Sequence, residues 1–487
     1  MNTETVRPAV TELRLSAFKT HRGVTLPLTR LTLLSGESGS GKSSALQAYE
    51  ILARLGSGES LARAVGEVAG SPAACVPAGA RPDAQGRRGF RIGCTVDGPA
   101  GPVSLDLAVQ AEPELRIVGE RLTGGGQTLL TTALTDPDRP TVQAAWHTAG
   151  ATPVTRAPLP DDRLGTSLLP LRVAGKTAGQ RLVLAAAEQV VVALRSAFVC
   201  DPQPEVMRGS GTGGTGGAGP DGACGADGAG AAGAAGAASG AGGGAGVRRS
   251  GREAGLRGGP GKPGGAGGAA GAGGPRKRKG SSGEAGGWSR DTEGARTEGR
   301  LRSSCDNLPA VLERTSQECA RRHAVLVAAV REACAGPVEG LRAVPRQAGG
   351  TGESPADAAV PAGLVGTAGP RAGVAGVRAV LDRGELGELP VEQLGDGELR
   401  FLALALVLLT GPEVLAMDPV GEVPSAHQQM TVMADGMDRC MDPRQARELV
   451  SLALRMTDRG HVRLLGTVRD PSVAEGLPGV QVLHLGV

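Results

Sequence analysis

Residues 36–43 constrain this chain more than any other stretch. They read Gly-Glu-Ser-Gly-Ser-Gly-Lys-Ser and fit the pattern G-x-x-x-x-G-K-[ST] at every required position. The apolar run 31–34 before them predicts a short buried strand. The run 44–53 after them predicts a helix, because its apolar residues recur at helical spacing. A strand, a glycine-rich loop and a helix in this order predict a phosphate-binding loop.

This loop predicts both a ligand and a metal. Glycines let backbone N–H groups curve around a phosphate, and the helix N-terminus adds a partial positive charge. We expect Lys42 to reach the β- and γ-phosphates of a nucleotide, and the Ser43 hydroxyl to bind Mg²⁺. A plain turn in a glycine-rich chain is the alternative, and the flanking strand and helix argue against it. The predicted nucleotide contacts here are Gly36, Glu37, Ser38, Gly39, Ser40, Gly41, Lys42, Ser43 and Ser44.

Composition excludes several classes of protein. A formal charge of +3 is too mild to indicate nucleic-acid binding by itself, and with 1% aromatic residues the chain offers almost no platform for stacking bases. The eight cysteines are scattered without a C-x-x-C pair, which fits neither a zinc site nor a disulfide framework. The N-terminus lacks a signal segment, and the longest apolar run, 401–409, is too short to cross a bilayer. We therefore expect a cytoplasmic protein without membrane contact.

Apolar periodicity predicts an antiparallel sheet around the loop, followed by a region without a core. The predicted strands are 11–15, 24–28, 90–96, 103–109 and 115–118, with helices at 60–68 and 180–196. Residues 208–300 are Gly, Ala, Ser and Arg with almost nothing to bury, so we expect this linker to be disordered. Its basic run, 275–280, is typical of a solvated tether, with a nucleic-acid arm as the alternative. The predicted organisation is an N-terminal lobe (1–207), this linker and a C-terminal lobe (301–487).

The C-terminal lobe has its own pattern of elements. Residues 308–335 and 401–409 predict helices, 343–376 a loose connection, and 462–467 a buried strand. The apolar run 414–417 ends in Asp418, which we expect to hold Mg²⁺, since a phosphate loop needs a carboxylate at the end of a neighbouring strand. An ordinary strand end is the alternative.

A second anion-binding element is predicted at residues 394–400. This segment, Leu-Gly-Asp-Gly-Glu-Leu-Arg, forms a glycine turn directly before the 401–409 helix. A structural helix cap is the alternative reading, with Asp396 as the cap. The predicted nucleotide contacts are Gly395, Asp396, Gly397 and Glu398.

Together these segments resemble a known family. Residues 13–19 and 28–36, with the loop that follows, look like the opening of RecF- and SMC-type ATPases, which belong to the ABC-like branch of P-loop ATPases. The segment 394–400 resembles the signature motif of that family, and Asp418 its Walker B aspartate. Residues 306–312 also resemble a segment of RecF-like AAA ATPases.

The resemblance implies a fold and a mode of action. The fold is α/β: a P-loop NTPase with two lobes, an antiparallel β subsheet and a long disordered insertion. The signature segment of one subunit closes over the ATP of another, so a homodimer is implied. ATP and Mg²⁺ are the implied cofactors.

The sequence departs from the family at positions that serve hydrolysis. The departures are Ser38 in place of asparagine, Gly395 in place of the signature serine, Pro419 in place of the glutamate that acts as general base, and Val468, Arg469 and Asp470 where a γ-phosphate-sensing histidine is expected. A glutamine that coordinates Mg²⁺ is not located. Glu422 is the nearest carboxylate that could act as base, so the predicted catalytic set is Lys42, Asp418 and Glu422, with slow hydrolysis.

Other functions stay open at this stage. One is a nucleotide-dependent switch or scaffold, nearly inactive as an enzyme, that recruits partners when it binds ATP. Another is a nuclease of the overcoming-lysogenisation type, which would need a further acidic catalytic domain. A P-loop kinase or GTPase is less favoured, since no N-K-x-D run is present. DNA as a partner is a hypothesis that rests on the arginines of the linker and on the resemblance.

Overall fold

Strands and helices follow the apolar periodicity of the sequence over most of the chain. The computed structural model describes residues 7–147, 154–209, 300–345, 377–411, 414–415 and 429–486. The strands in these ranges are β1 (Ala9–Phe18), β2 (His21–Pro27), β3 (Leu31–Ser35), β4 (Arg88–Asp97), β5 (Val103–Glu112), β6 (Arg116–Gly124), β7 (Gln127–Ala133), β8 (Thr141–His147), β9 (Val154–Pro160), β10 (Ala197–Val199), β11 (Gly340–Pro345), β12 (Val377–Asp382), β13 (Glu388–Pro390), β14 (Met430–Ala434), β15 (Val462–Thr467) and β16 (Gln481–His484). The α-helices are α1 (Lys42–Gly56), α2 (Leu61–Ala69), α3 (Gly165–Leu168), α4 (Ala178–Arg195), α5 (Pro204–Met207), α6 (Leu308–Glu318), α7 (Ala320–Ala333), α8 (Asp396–Leu409) and α9 (Pro443–Asp458).

An eight-stranded antiparallel sheet forms most of the N-terminal half. Its order is β2-β1-β4-β5-β6-β7-β8-β9, so the predicted antiparallel strands are confirmed, and β7 to β9 extend the sheet beyond the prediction. Apolar side chains on one face of the sheet alternate with exposed ones, as in β5, and pack against α4. The rings of Phe18 and Phe90 meet edge to face there, with their centroids 5.6 Å apart.

A five-stranded parallel sheet carries the phosphate loop. Its order is β10-β14-β15-β3-β16, and all of its pairings are parallel. Every residue of β3, β14 and β15 is buried, as expected for a parallel sheet covered on both faces. Helices α1 and α9 both contact β15. Because β3 lies in the N-terminal half and β14 to β16 in the C-terminal half, the two predicted lobes share this sheet.

Helix α8 forms the centre of the C-terminal half. It is apolar around its circumference, and 12 of its 14 residues are buried between α7, α9 and neighbouring segments. The helix predicted over 308–335 is interrupted at Cys319, whose φ of −151° and ψ of 85° are not helical, so α6 and α7 are separate. Part of the predicted loose connection is wrong, since β11 extends through Pro345 and pairs with β12.

Several predictions fall outside the described residues. These are the disorder of the linker, apart from its ends Arg208, Gly209 and Arg300, and the roles of Asp418 and Glu422. In the part of the chain that the structure describes, no helix is both long and apolar enough to span a membrane. Five of the described cysteines are buried as small core residues: Cys75, Cys94, Cys200, Cys305 and Cys334.

Candidate phosphate-binding site

The loop between β3 and α1 has the backbone shape that its glycines allow. Gly36, Gly39 and Gly41 have φ values of 138°, 87° and 93°, in the left-handed region that other residues rarely adopt. Gly41 is the N-cap residue of α1, which begins at Lys42. The predicted order of strand, loop and helix is therefore confirmed.

Lys42 lies across this loop. Its Nζ donates hydrogen bonds to the carbonyl oxygens of Gly36 and Glu37, at 2.7 and 2.9 Å. An ammonium group has three N–H donors, so one of them is available to another acceptor. Ser43 is exposed in the first turn of α1, where its hydroxyl is accessible.

The rim of the loop is open, and one polar atom inside it lacks a partner. Glu37, Ser38 and Gly39 are exposed, and a Cβ added to Gly39 would have no atom within 4 Å. Ser40 Oγ is buried and has no hydrogen-bond partner among the described residues. A cradle of this kind, with a lysine, an accessible hydroxyl and an orphaned oxygen, fits a phosphate group and its metal.

Two distant segments hold the ends of the loop in place. Leu485, directly after β16, donates its N–H to Ser35 O at 2.8 Å, and its carbonyl would lie 2.3 Å from a Cβ on Gly36. At the other end, His21 Nε2 lies 2.9 Å from Gly41 O. The loop is thus packed between the C-terminal strand and the first hairpin.

A carboxylate that sequence analysis did not predict follows β14. Asp435 is exposed at the carboxyl end of this strand, and its Oδ1 accepts a hydrogen bond from Thr467 Oγ1 at 2.5 Å. Thr467 ends β15, which lies between β14 and β3. Parallel strands spaced about 4.8 Å apart end at one edge, so Asp435 lies two strands, roughly 10 Å, from the strand that carries the loop.

The sequence contains a weak signal for this residue. Met430–Ala434 is a short, mostly apolar run that Asp435 follows, but Thr431 interrupts it. The uninterrupted apolar run 414–417, followed by Asp418, matches the expected pattern better. Only the pairing of β14 with β15 identifies Asp435.

The predicted metal-binding strand ending at Asp418 is described only at its start. Val414 O accepts a hydrogen bond from Leu301 N at 2.8 Å, and Leu415 forms an isolated parallel bridge with Leu301. These two residues therefore pair outside the five-stranded sheet. Asp418, Pro419 and Glu422 themselves lie outside the described residues, so their roles stay predictions.

The predicted glycine turn at 394–400 is largely helical, which corrects the sequence interpretation. Helix α8 begins at Asp396, five residues earlier than predicted, and Gly395 is its N-cap residue. Gly395 N–H donates to Glu398 Oε2 at 3.1 Å, and Asp396 Oδ1 accepts from Arg208 Nη2 at 2.6 Å. A Cβ on Gly397 would lie 2.1 Å from Cys440 O. The alternative reading, a structural cap, describes these contacts, although Glu398 rather than Asp396 caps Gly395.

Arg400 connects the helix that begins in this segment to the turn at Asp435. In the described ranges no hydrogen bond joins residues 395–398 to residues 36–43. Arg400 is 4% exposed, and its guanidinium donates to Pro202 O at 2.6 Å. It also donates to the carbonyl oxygens of Asp435 and Gly436, both at 3.2 Å. The C-terminal part of the signature-like segment therefore supports the turn that presents Asp435.

Comparison with known proteins gives distant structural likenesses only. No protein-family model matches the sequence, and no curated protein does. The chain resembles an SMC head bound to the C-terminal winged-helix domain of ScpA, with a TM-score of 0.41 and 8% identity over 98% of this chain and 93% of that one. It also resembles the SMC head domain from Thermotoga maritima (TM-score 0.35, 10% identity, 98% and 94% covered). A third is an Smc head domain with an extended coiled coil bound to the C-terminal domain of ScpA, derived from Pyrococcus furiosus (TM-score 0.39, 8% identity, 98% and 93% covered). Likenesses this distant assign no activity to the chain.

Proposed function

We propose that this protein binds Mg·ATP at residues 36–43 and hydrolyses it slowly, as an ABC-like ATPase of the RecF/SMC type. The observation that carries the proposal is the loop itself. Three left-handed glycines precede a 15-residue helix, and Lys42 Nζ is held across the loop by two carbonyl oxygens. Backbone N–H groups at a helix N-terminus, together with a lysine, form an anion site matched to polyphosphate.

Mg²⁺ would be held by the Ser43 hydroxyl and by a carboxylate at the edge of the parallel sheet. In the described part of the chain, the candidate carboxylate is Asp435, which directly follows β14. The sequence gives Asp418 as the other candidate. When bound, the metal neutralises charge on the phosphate oxygens. The chain itself supplies oxygen ligands, which are the type that Mg²⁺ prefers.

Slow turnover follows from the residues beside both aspartates. Gly436 follows Asp435, and Pro419 follows Asp418, and neither side chain can accept a proton from an attacking water. Glu422 stays the proposed substitute base. Lys42 and the loop glycines bind and orient the phosphates without it, so binding is independent of the missing base.

A nucleotide-dependent switch is the second candidate function, and Pro419 together with the missing γ-phosphate-sensing histidine favours it. The contacts of α8 bear on dimer closure in both functions. In the ABC-like scheme residues 395–398 of one subunit would meet the ATP of another. Here Glu398 already accepts the Gly395 N–H, and the carboxylates of Asp396 and Glu398 would repel a phosphate. Closure of a homodimer would have to displace these contacts. DNA as a partner stays a hypothesis that rests on the linker arginines.

The test is Mg·ATP binding and steady-state hydrolysis of the full chain beside Lys42→Ala, Asp435→Asn and Asp418→Asn. Lys176→Ala is the matched control, since Gly175-Lys176-Thr177 also fits the pattern G-K-[ST] but lies outside a phosphate loop. Loss of Mg·ATP binding in Lys42→Ala, with binding unchanged in Lys176→Ala, supports the site. Whichever aspartate variant loses Mg²⁺ dependence identifies the metal ligand. Light scattering with and without ATP tests dimerisation. Absence of binding by the wild-type chain would refute the proposal.

If the chain binds ATP and turns it over slowly, Glu422→Ala separates the two functions. An ATPase that uses Glu422 as its base loses its residual turnover in this variant. A switch keeps its binding and its ATP-dependent dimerisation unchanged, and its rate stays at the background of Lys42→Ala.

A further inference from the structure

The tip of the first hairpin is fixed against the phosphate loop. Strands β1 and β2 are joined through Lys19 and Thr20, and Phe18 pairs with His21. Lys19 has a φ of 50°, its N–H donates to Cys75 O at 3.0 Å, and its Nζ donates to Gln47 Oε1 on α1 at 2.6 Å. Partial burial lowers the pKa of Lys19. The tip is therefore anchored on two sides before it reaches the loop.

His21 makes the contact between this tip and the loop. The side chain is 5% exposed, and its Nε2 lies 2.9 Å from Gly41 O. A carbonyl oxygen can only accept, so Nε2 must carry the hydrogen and donate it. The same carbonyl accepts Ala45 N at 3.0 Å, the first hydrogen bond of α1. Both lone pairs of Gly41 O are thus engaged.

These two hydrogen bonds fix a whole peptide unit. The peptide bond between Gly41 and Lys42 is planar and trans, so its N–H points opposite to its C=O. Holding Gly41 O toward the helix and the hairpin therefore holds Lys42 N–H toward the loop. Backbone N–H groups at this place in a helix are the ones that bind anions.

The hairpin also limits what can stand at position 41. A Cβ on Gly41 would lie 2.5 Å from His21 Nε2 and 2.7 Å from Thr20 Oγ1. The tip therefore leaves room only for glycine, which has the freedom to adopt the φ of 93° that the loop needs. The His21 contact and the positive φ of Gly41 therefore constrain the same peptide unit, Gly41–Lys42.

We propose that His21 is a positioning residue for polyphosphate binding, which acts by donating its Nε2–H to Gly41 O and so orienting the Lys42 N–H. This role rests on the proposed function, since His21 would orient a backbone N–H of the proposed ATP site. The alternative is that the ring only fills space. That role would need a side chain of similar volume at position 21 but no N–H donor.

The test is a matched pair of variants, His21→Gln and His21→Met. Glutamine and methionine have similar length and volume, but only glutamine offers an N–H near the position of Nε2. The dissociation constants of Mg·ATP and of inorganic pyrophosphate are measured for the wild type and both variants. We expect His21→Met to weaken binding of both probes about three- to tenfold, the usual net effect of one hydrogen bond, and His21→Gln to stay within about twofold of the wild type.

Hydrogen exchange without ligand tests whether His21 orders the start of α1 before any phosphate binds. Hydrogen exchange of the amides of residues 42–45 should be faster in His21→Met than in His21→Gln, at equal thermal stability. Equal binding and equal exchange in the two variants would overturn the positioning role while leaving the proposed function intact. If the wild type bound neither probe, the proposed function would fail and this inference with it. If His21→Met did not fold, His21→Phe beside His21→Gln would provide the same contrast.

Discussion

Thr467 holds the Asp435 carboxylate by a short hydrogen bond at the edge of the parallel sheet. Its Oγ1 donates to Asp435 Oδ1 at 2.5 Å and accepts from Gly436 N at 2.7 Å. Thr467 is 2% exposed, so water does not easily replace its hydroxyl in either hydrogen bond. One buried side chain therefore fixes both the carboxylate and the turn that follows it.

Replacing this hydroxyl should affect metal-dependent binding. In Thr467→Val the carboxylate loses its donor and Gly436 N–H loses its acceptor, so we expect a loss of about 1–3 kcal/mol in unfolding free energy. We also expect the Mg²⁺ concentration for half-maximal ATP binding to rise about three- to tenfold. Thr467→Ser keeps the hydroxyl and is the control. Identical Mg²⁺ titrations for the two variants would show that Thr467 does not position a metal ligand.

The glycines of the loop should differ in their tolerance of alanine. A Cβ on Gly36 would meet Leu485 O at 2.3 Å, whereas a Cβ on Gly39 meets nothing within 4 Å. Both positions have positive φ, which costs an alanine about 1–2 kcal/mol. We therefore expect Gly36→Ala to lose ATP binding and more stability than this, and Gly39→Ala to lose little beyond it. Urea unfolding and ATP titration of both variants check this, and equal effects would contradict it.

Local elements could be predicted from the sequence because their signals are local. The phosphate loop needs only the spacing of Gly36, Gly41, Lys42 and Ser43, and β15 has the bounds that were expected, Val462–Thr467. The break at Cys319 could not be predicted, since the apolar pattern continues through it.

Asp435 shows what local patterns leave out. Its place in the site depends on β14 lying between β10 and β15, a pairing of segments far apart in the sequence. The same holds for Arg400, whose carbonyl acceptors at Pro202 and Asp435 lie 198 and 35 residues away. The burial of Arg400 is set by tertiary contacts, and the signature-like segment alone does not indicate that it supports a turn.

Removing the Arg400 guanidinium should destabilise the turn that carries Asp435. Arg400→Met leaves the carbonyls of Pro202, Asp435 and Gly436 without this donor, and we expect a loss of about 1–3 kcal/mol in unfolding free energy. Arg172→Met, at an exposed arginine, should change stability by no more than about 0.5 kcal/mol. Chemical unfolding of both variants measures the difference. Equal stabilities would mean that water or other donors replace Arg400.

Glu120 should make stability depend on pH. It is 3% exposed on β6, and its carboxylate accepts hydrogen bonds from Gly165 N and Thr166 N, both at 2.7 Å. Burial raises the pKa of Glu120, and these donors offset only part of the effect. The folded state therefore keeps the proton to a higher pH than the unfolded chain, whose glutamates titrate near about 4.3.

The sign of the effect follows from this difference. Stability from protonated Glu120 is fully present below the unfolded pKa and is lost as pH rises through the higher folded pKa. We expect the wild type to lose unfolding free energy relative to Glu120→Gln over this interval, because glutamine does not titrate. Urea unfolding at a series of pH values measures this difference, with Glu188→Gln as the exposed control on α4. Curves for wild type and Glu120→Gln that stay parallel throughout would mean that folding leaves the Glu120 pKa unchanged.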